Sequence, residues 1–376
     1  MEVLILNWYV LVETQSVTLL ALFAGLQYIG SLVAPAVGAL ADRIGRKRTL
    51  AGLRALYAGL AILVMTLDLT GVLQPVILFA VAVVAGLVRP SDLVMRNALI
   101  GDTMPGERIA NATGLSRMTL DSARMVGALA GAGLLLWLGL GVAYGVVATL
   151  YLASFLLTLQ VSHVAYAGGG DRPRPLRQVM DGLAYVARTP ALLALMWLAF
   201  LVNFVGFPLV SNSGILSYVA REVYHLDASG LSHLVTCFGI GSLIASIVMA
   251  ATGGSRRPVR LGFFGAVVWH LLLIVYGFTT TKMEGMVVLG LIGVAQGVAM
   301  ISVAVALLRL ADPNLRGRVM GVRMLAVYGL PLGLAAAGPL TETFGFSVTV
   351  VGAALFGLAA IGAIAWRWRA ALFGQD

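Results

Sequence analysis

Gly38-Ala39-Leu40-Ala41-Asp42-Arg43-Ile44-Gly45-Arg46-Lys47-Arg48 separates two apolar runs, each long enough to cross a bilayer. One acid sits among four cations, with Gly38 and Gly45 as the small-residue breaks. In a water-soluble chain this would be a charged surface loop. Between two apolar runs it is a tight turn at a membrane face. It holds the Asp42 carboxylate where two helix ends meet.

The composition agrees with that reading. Of the 376 residues 60% are hydrophobic and 11% are charged, and the mean hydropathy is +0.96. A soluble domain carries about 25% charged residues. The chain is therefore read as a multi-pass integral membrane protein of one compact bundle. The net charge of +9 does not indicate a nucleic-acid partner, because the cations lie at helix ends and not on a polar domain. One cysteine, Cys237, excludes a disulfide framework and a cysteine metal site. There is no nucleotide loop, metal cluster or catalytic triad, so no cofactor and no enzymatic chemistry are expected. No cleavable signal peptide is visible. Only twelve residues precede Glu13, and a crossing helix needs about 20. Asn7, Trp8 and Tyr9 read as the distal half of a first crossing near its outer interface. The start is expected to be truncated or assigned too late.

The chain then alternates. Crossings are expected over 17–41, 49–67, from 75 to a frayed end near Arg96, 109–138 and 142–161, with a turn at 139–141. Pro90 removes an N–H and bends the fourth crossing near its inner end, where Arg89 and Asp92, three apart, can neutralise each other. The glycine- and proline-rich run 168–175 cannot be regular helix. Residues 176–188 place Leu176, Val179, Leu183 and Val186 at helical spacing, a short amphipathic helix on the membrane face. A second set of crossings follows over 191–210 (with a continuation toward Ala220 left open), 230–251, 259–278, 285–308, 318–340 and 347–366. This makes an all-α membrane protein of two six-helix halves. They are 1–161 and 190–376, joined by a cytoplasmic linker at 162–189. Eleven crossings are complete and the first is partial.

Charge tests the count. With the opening stretch placed in the cytoplasm, every one of the 25 cations except Arg221 and Lys282 falls on the cytoplasmic side, as positive-inside asymmetry requires. A missed or invented helix would scramble this pattern.

At this point the residues carry a family resemblance. Gly38 to Arg48 resembles the loop between helices 2 and 3 of the major facilitator superfamily at every defining position. Arg96-Asn97-Ala98-Leu99, Arg108-Ile109-Ala110-Asn111-Ala112 and Leu315-Arg316-Gly317-Arg318-Val319-Met320-Gly321 resemble its enterobactin-exporter and macrolide-efflux branch, as does Gly329-Leu330-Pro331-Leu332-Gly333. The resemblance implies the two-half transporter fold, a small-molecule substrate, coupling to protons or another ion, and a monomer in a bacterial cytoplasmic (inner) membrane. It also implies secondary export of a lipophilic drug-like or siderophore-like compound by alternating access. Uptake of a small solute, or a non-transporting receptor on the same fold, are the alternatives.

Candidate sites follow. The conformational latch comprises Gly38, Asp42, Arg43, Gly45, Arg46 and Asp92. Asp42 is expected against the helix N-terminus near residues 314–318, where the dipole and free N–H groups stabilise a carboxylate. Arg46 is expected to pair with Asp92, or failing that Asp102; lipid anchoring of Arg46 and Lys47 is the plainer alternative. Arg117, Asp121 and Arg124 share one helix face, and charges at that depth must be paired or hydrated. Asp121, Arg124 and Arg89 are the proton-coupling candidates, with a purely structural Asp121–Arg124 pair as the competing reading. Gly127 to Gly131 resembles the family's antiporter motif, with Ala128 where proline is usual. The resemblance implies that helices 1, 4, 7 and 10 line the cavity. Asn203, Phe204, Phe207, Gln296 and Met300 are then substrate candidates, with contributions from Gln27 and Tyr328. Sparse polarity with aromatics and methionine suits a large, mostly apolar ligand. Asn203 and Gln296 could equally bond neighbouring helices. His270 reads as peripheral and His233 as a weak candidate.

Overall fold

The computed structural model describes residues 1–28, 30, 44–103, 106–161, 175–210, 215–252, 255–312 and 315–373. Among them the ordered elements are helical, with no strand. Among the described residues eight helical stretches are long and apolar enough to cross a membrane, and Val17–Leu26 and Pro75–Arg89 are shorter apolar ones. The stretch Val126–Gln160 is 35 residues long. At about 1.5 Å per residue it exceeds one crossing of about 30 Å. The structure thus has the all-helical membrane architecture expected. Gly38, Asp42 and Arg43 lie outside the described residues.

Contacts divide the chain into two units, Met1–Gln15 with Phe23–Pro175, and Ser16–Leu22 with Leu176–Asp376. The first unit is built from α1 (Glu2–Thr14), the distal part of α2 (Val17–Leu26), α3 (Arg46–Leu69), α4 (Pro75–Thr103) and α5 (Gly106–Gln160). Its boundaries follow from local chemistry. Gly45 has φ 99° and Gly71 φ 72°, conformations that favour glycine, and they flank α3. Lys47 Nζ donates to the Val161 carbonyl just beyond α5 at 2.5 Å, a cation placed on a negative helix end. Gly139, with φ 77° and ψ 176°, is the one non-helical residue inside α5. The turn expected over 139–141 is therefore a single-residue joint. A break or fray was expected in α4 between Arg89 and Arg96. Instead the helix runs through Pro90 to Thr103. Proline costs one N–H, and the flanking ladder continues, as transmembrane helices tolerate. The core packs Phe23 edge-on to Phe79 (5.4 Å between centroids) with Val64, Leu78, Ala143 and Tyr144.

The second unit contains α6 (Pro175–Arg188), α7 (Pro190–Leu201), a π-turn (Val202–Gly206), α8 (Phe207–Val210), α9 (Leu216–Tyr218) and a second π-turn (Val219–Val223). Then come α10 (Ala228–Ala251), α11 (Pro258–Tyr276), α12 (Lys282–Leu310) and α13 (Arg316–Leu325). A 3-10 turn (Ala326–Tyr328), α14 (Gly329–Phe344), α15 (Phe346–Arg367) and α16 (Arg369–Phe373) complete it. Caps mark the starts. Asp227 accepts from the Gly230 N–H at 2.8 Å, and Thr281 with Glu284 forms a reciprocal capping box on α12. Glu342 of α14 serves the N-terminus of α2: it accepts from the Thr18 N–H at 3.3 Å, from the Thr18 hydroxyl and from the Ser16 hydroxyl at 3.5 Å. An anion suits that end of a helix. α10 and α12 approach at backbone distance. A Cβ on Gly241 would lie 1.9 Å from the Gly290 carbonyl oxygen, and one on Gly293 2.2 Å from that of Phe238. Small residues make such close packing possible in lipid.

Candidate functional site

In the first unit, side chains from five helices converge on one polar network. Arg89 of α4 donates to Gln27 Oε1 at 2.9 Å and lies 3.7 Å from a Glu2 carboxylate oxygen. Glu2, at the start of α1, accepts the Tyr151 hydroxyl of α5 at 2.7 Å. Gln27 Nε2 donates to Asn7 Oδ1 at 3.3 Å, and both amides are buried. Tyr57 of α3 stacks on Tyr151 with ring centroids 5.2 Å apart and 23° between planes. The hydroxyls of Tyr57 and Tyr144 are buried without a hydrogen-bond partner among the described residues.

One helical turn before Tyr57 on α3 and one after Arg89 on α4, Arg54 Nη2 meets the two oxygens of Asp92 at 3.0 and 3.2 Å. Arg54 and Tyr57 are three apart, as are Arg89 and Asp92, so each pair shares a helix face. Arg89 and Asp92 turn to different partners instead of to each other. Charges within a bilayer are costly unless paired, and here Glu2 and Asp92 each face an arginine. The Arg46 side chain lies outside the described residues, although its backbone opens α3. The side chains of Asp121 and Arg124 lie outside them too, on the described backbone of α5.

In the second unit the candidates are more dispersed. Asn203 sits in the π-turn and returns its Nδ2 to the Ala199 carbonyl at 2.8 Å. Phe204 stacks with Phe200, centroids 6.0 Å apart, and Phe207 meets Trp269 edge-on at 5.3 Å. Gln296 Oε1 is 3.5 Å from the Ser242 hydroxyl. The Met300 carbonyl accepts from Arg323 at 3.3 Å. Tyr328 ends the 3-10 turn between α13 and α14. Asn203 therefore bonds within its own helix and Gln296 across to α10. His270 is fully buried, with Nδ1 2.8 Å from the Ala266 carbonyl. His233 faces Lys282 Nζ at 3.4 Å. Two surface depressions, one at Trp366–Ala371 and one between α3 and the distal arm of α5, include none of these residues.

Sequence reasoning had singled out Arg89, Gln27 and Asp92. It missed Glu2, Asn7 as a network member, Arg54, Tyr57, Tyr144 and Tyr151. A signal for Glu2 was present: an acid at the head of an apolar helix needs a partner. The tyrosines carried no such mark, since tyrosine is common at membrane interfaces.

Apolar crossings with charges paired inside them define an integral membrane protein whose polar interior has work to do. The sequence profile of the Major Facilitator Superfamily matches residues 3–336, and the chain belongs to that superfamily of transporters. An uncharacterized MFS-type transporter of Bacillus subtilis (strain 168), YkuC, is 23% identical over 318 residues, 80% of this chain and 72% of that one. The crystal structure of the nucleoside transporter NupG covers 98% of this chain and 94% of its own, with a TM-score of 0.75 and 16% identity. A bacterial homolog of the human lysosomal transporter Spinster, in an inward-facing and unoccupied conformation, covers 98% and 93%, with a TM-score of 0.66 and 14% identity. At these identities the two structures bear on the fold alone.

Proposed function

We propose that the chain is a secondary active transporter that exports a lipophilic, drug-like or siderophore-like molecule in exchange for protons, by alternating access. It acts as a monomer in a bacterial cytoplasmic (inner) membrane, in two halves joined at 162–189. The observation that carries this reading is the cluster of Glu2, Arg89 and Tyr151 among apolar helices. A carboxylate held by a guanidinium and a phenol is a group whose protonation changes its partners. Deprotonated, Glu2 accepts from Tyr151 and attracts Arg89. Protonated, it loses the attraction to Arg89 and becomes a donor. That exchange is the chemistry a proton-coupled cycle uses. Asp121 and Arg124 on α5 remain coupling candidates beside it.

The direction of transport rests on the resemblance to the efflux branch at 96–99, 108–112, 315–321 and 329–333. The substrate candidates Asn203, Phe204, Phe207, Gln296, Met300 and Tyr328 spend their polar groups largely on the protein itself, which suits an apolar ligand. The stretch Gly38, Asp42, Arg43, Gly45, Arg46 with Asp92 keeps the role of a latch that must open once in each cycle.

The test is accumulation in everted membrane vesicles energised acid-inside. The wild-type protein should concentrate a lipophilic dye or a catecholate siderophore, and a protonophore should abolish this. Glu2→Gln should still bind substrate but lose the response to the pH gradient. Asp42→Asn should slow transport at normal expression. Substrate moving the opposite way would overturn export, and an unchanged gradient response in Glu2→Gln would remove Glu2 from coupling.

A further inference from the structure

Helix α6 is attached to the second unit by one edge and leaves part of its apolar surface uncovered. Its docked edge carries Gly182, Tyr185 and Asp181. A Cβ on Gly182 would lie 3.0 Å from Val322 Cγ2 and 3.2 Å from Arg318 Cβ, so α13 packs tightly against this glycine. The Tyr185 hydroxyl accepts the Asp312 N–H at 3.1 Å, and Asp181 lies 3.7 Å from Arg318. Val186 is buried as well, but other apolar side chains of the helix point outward. Met180 is 62% exposed and Leu183 42% exposed, and Ala184 and Ala187 beside them are exposed too. These four positions share one face at helical spacing. The helix is 14 residues long, about 21 Å, too short to cross the bilayer.

The same segment is basic. Arg188 is exposed at the end of α6, and the sequence adds Arg172, Arg174 and Arg177 just before or within it. An apolar stripe flanked by arginines matches the boundary between acyl chains and anionic headgroups. We propose that the free face of α6, Met180, Leu183, Ala184 and Ala187 with Arg188, is a docking surface for anionic phospholipid. Because Asp181, Gly182 and Tyr185 bind the segment that opens α13, lipid held on one side of α6 loads the start of α13 on the other. The inference uses the membrane character of the chain and is independent of its substrate and coupling ion.

The test uses the full-length protein with Cys237→Ser and Leu183→Cys, labelled with an environment-sensitive fluorophore and reconstituted in phosphatidylcholine vesicles. The quenchers are brominated phosphatidylglycerol and brominated phosphatidylcholine at equal mole fraction. Ile247→Cys on α10, whose side chain is exposed on a crossing helix, is the reference site. Position 183 should be quenched more by the anionic lipid, whereas position 247 should respond equally to both. Arg188→Gln should lower the anionic preference at 183 about fivefold, the share one arginine contributes near such a surface. Equal quenching at 183 by both lipids, or no quenching there while 247 responds, would overturn the proposal. Either result would leave the transport reading standing.

Discussion

Arg89→Ala is expected to abolish transport and to lower the melting temperature of the purified protein. The substitution takes the hydrogen bond from Gln27 and the opposite charge from Glu2 together. Glu2 then keeps the Tyr151 hydroxyl as a hydrogen-bond partner but no arginine. Breaking a buried ion pair by removing one member costs about 3–5 kcal/mol. The Arg89 side chain is 30% exposed, so the low end, about 3 kcal/mol, is the expected loss. Arg89→Lys should recover much of the stability and little of the transport, because an ammonium cannot serve Gln27 and Glu2 with a planar fork. The double variant Glu2→Gln with Arg89→Ala should be more stable than Arg89→Ala alone, since the stranded charge is gone. Thermal unfolding followed by tryptophan fluorescence, alongside vesicle uptake, reads both quantities. A wild-type melting curve for Arg89→Ala would mean that the network holds nothing together.

The largest effect on stability alone is expected at Gly293. Its Cβ position lies 2.2 Å from the Phe238 carbonyl oxygen and 3.0 Å from the Ser242 nitrogen. These are backbone atoms and cannot rotate away, so Gly293→Val must push α10 and α12 apart. Overpacking of this kind costs about 1–3 kcal/mol, and here it acts along a whole helix pair. Gly52 on α3 is the control, because a Cβ there meets nothing within 4 Å. Gly52→Ala should be neutral or gain up to about 1 kcal/mol from helix propensity. The detergent melting temperature of Gly293→Val should therefore fall, while that of Gly52→Ala holds or rises. A fall in both would point to glycine's conformational freedom, and not to helix contact, as the reason for Gly293.

The all-helical membrane architecture was readable because apolar runs of crossing length recur along the chain. A helix start was also readable at Pro75, whereas the Thr281–Glu284 box starts α12 at Lys282, ahead of the expected 285. The continuity of α4 was not readable, since Pro90 reads as a break and only the surrounding bundle carries the ladder past it. The polar network was half legible. Arg89 and Gln27 stood out as polar groups in apolar runs, but their meeting depends on how α2 and α4 pack. Glu2 opens a helix too short to phase from periodicity. Partner choice was the least legible feature: Asp92 has Arg54 beside it, a residue that one-dimensional spacing from α4 cannot reach.

The π-turn at Val202–Gly206 has a consequence for how this crossing tolerates change. A π-turn accommodates one residue more than an α-helical turn of the same rise. Positions after Gly206 are therefore rotated by about 100° from where an uninterrupted α-helix would put them. A cysteine scan from Ala191 to Val210 should show its 3.6-residue rhythm slip by one position there. Loss of one residue from the Asn203–Gly206 stretch would simply straighten the helix, whereas the same loss two turns earlier would swing Phe204 and Phe207 out of phase with every neighbour they now meet.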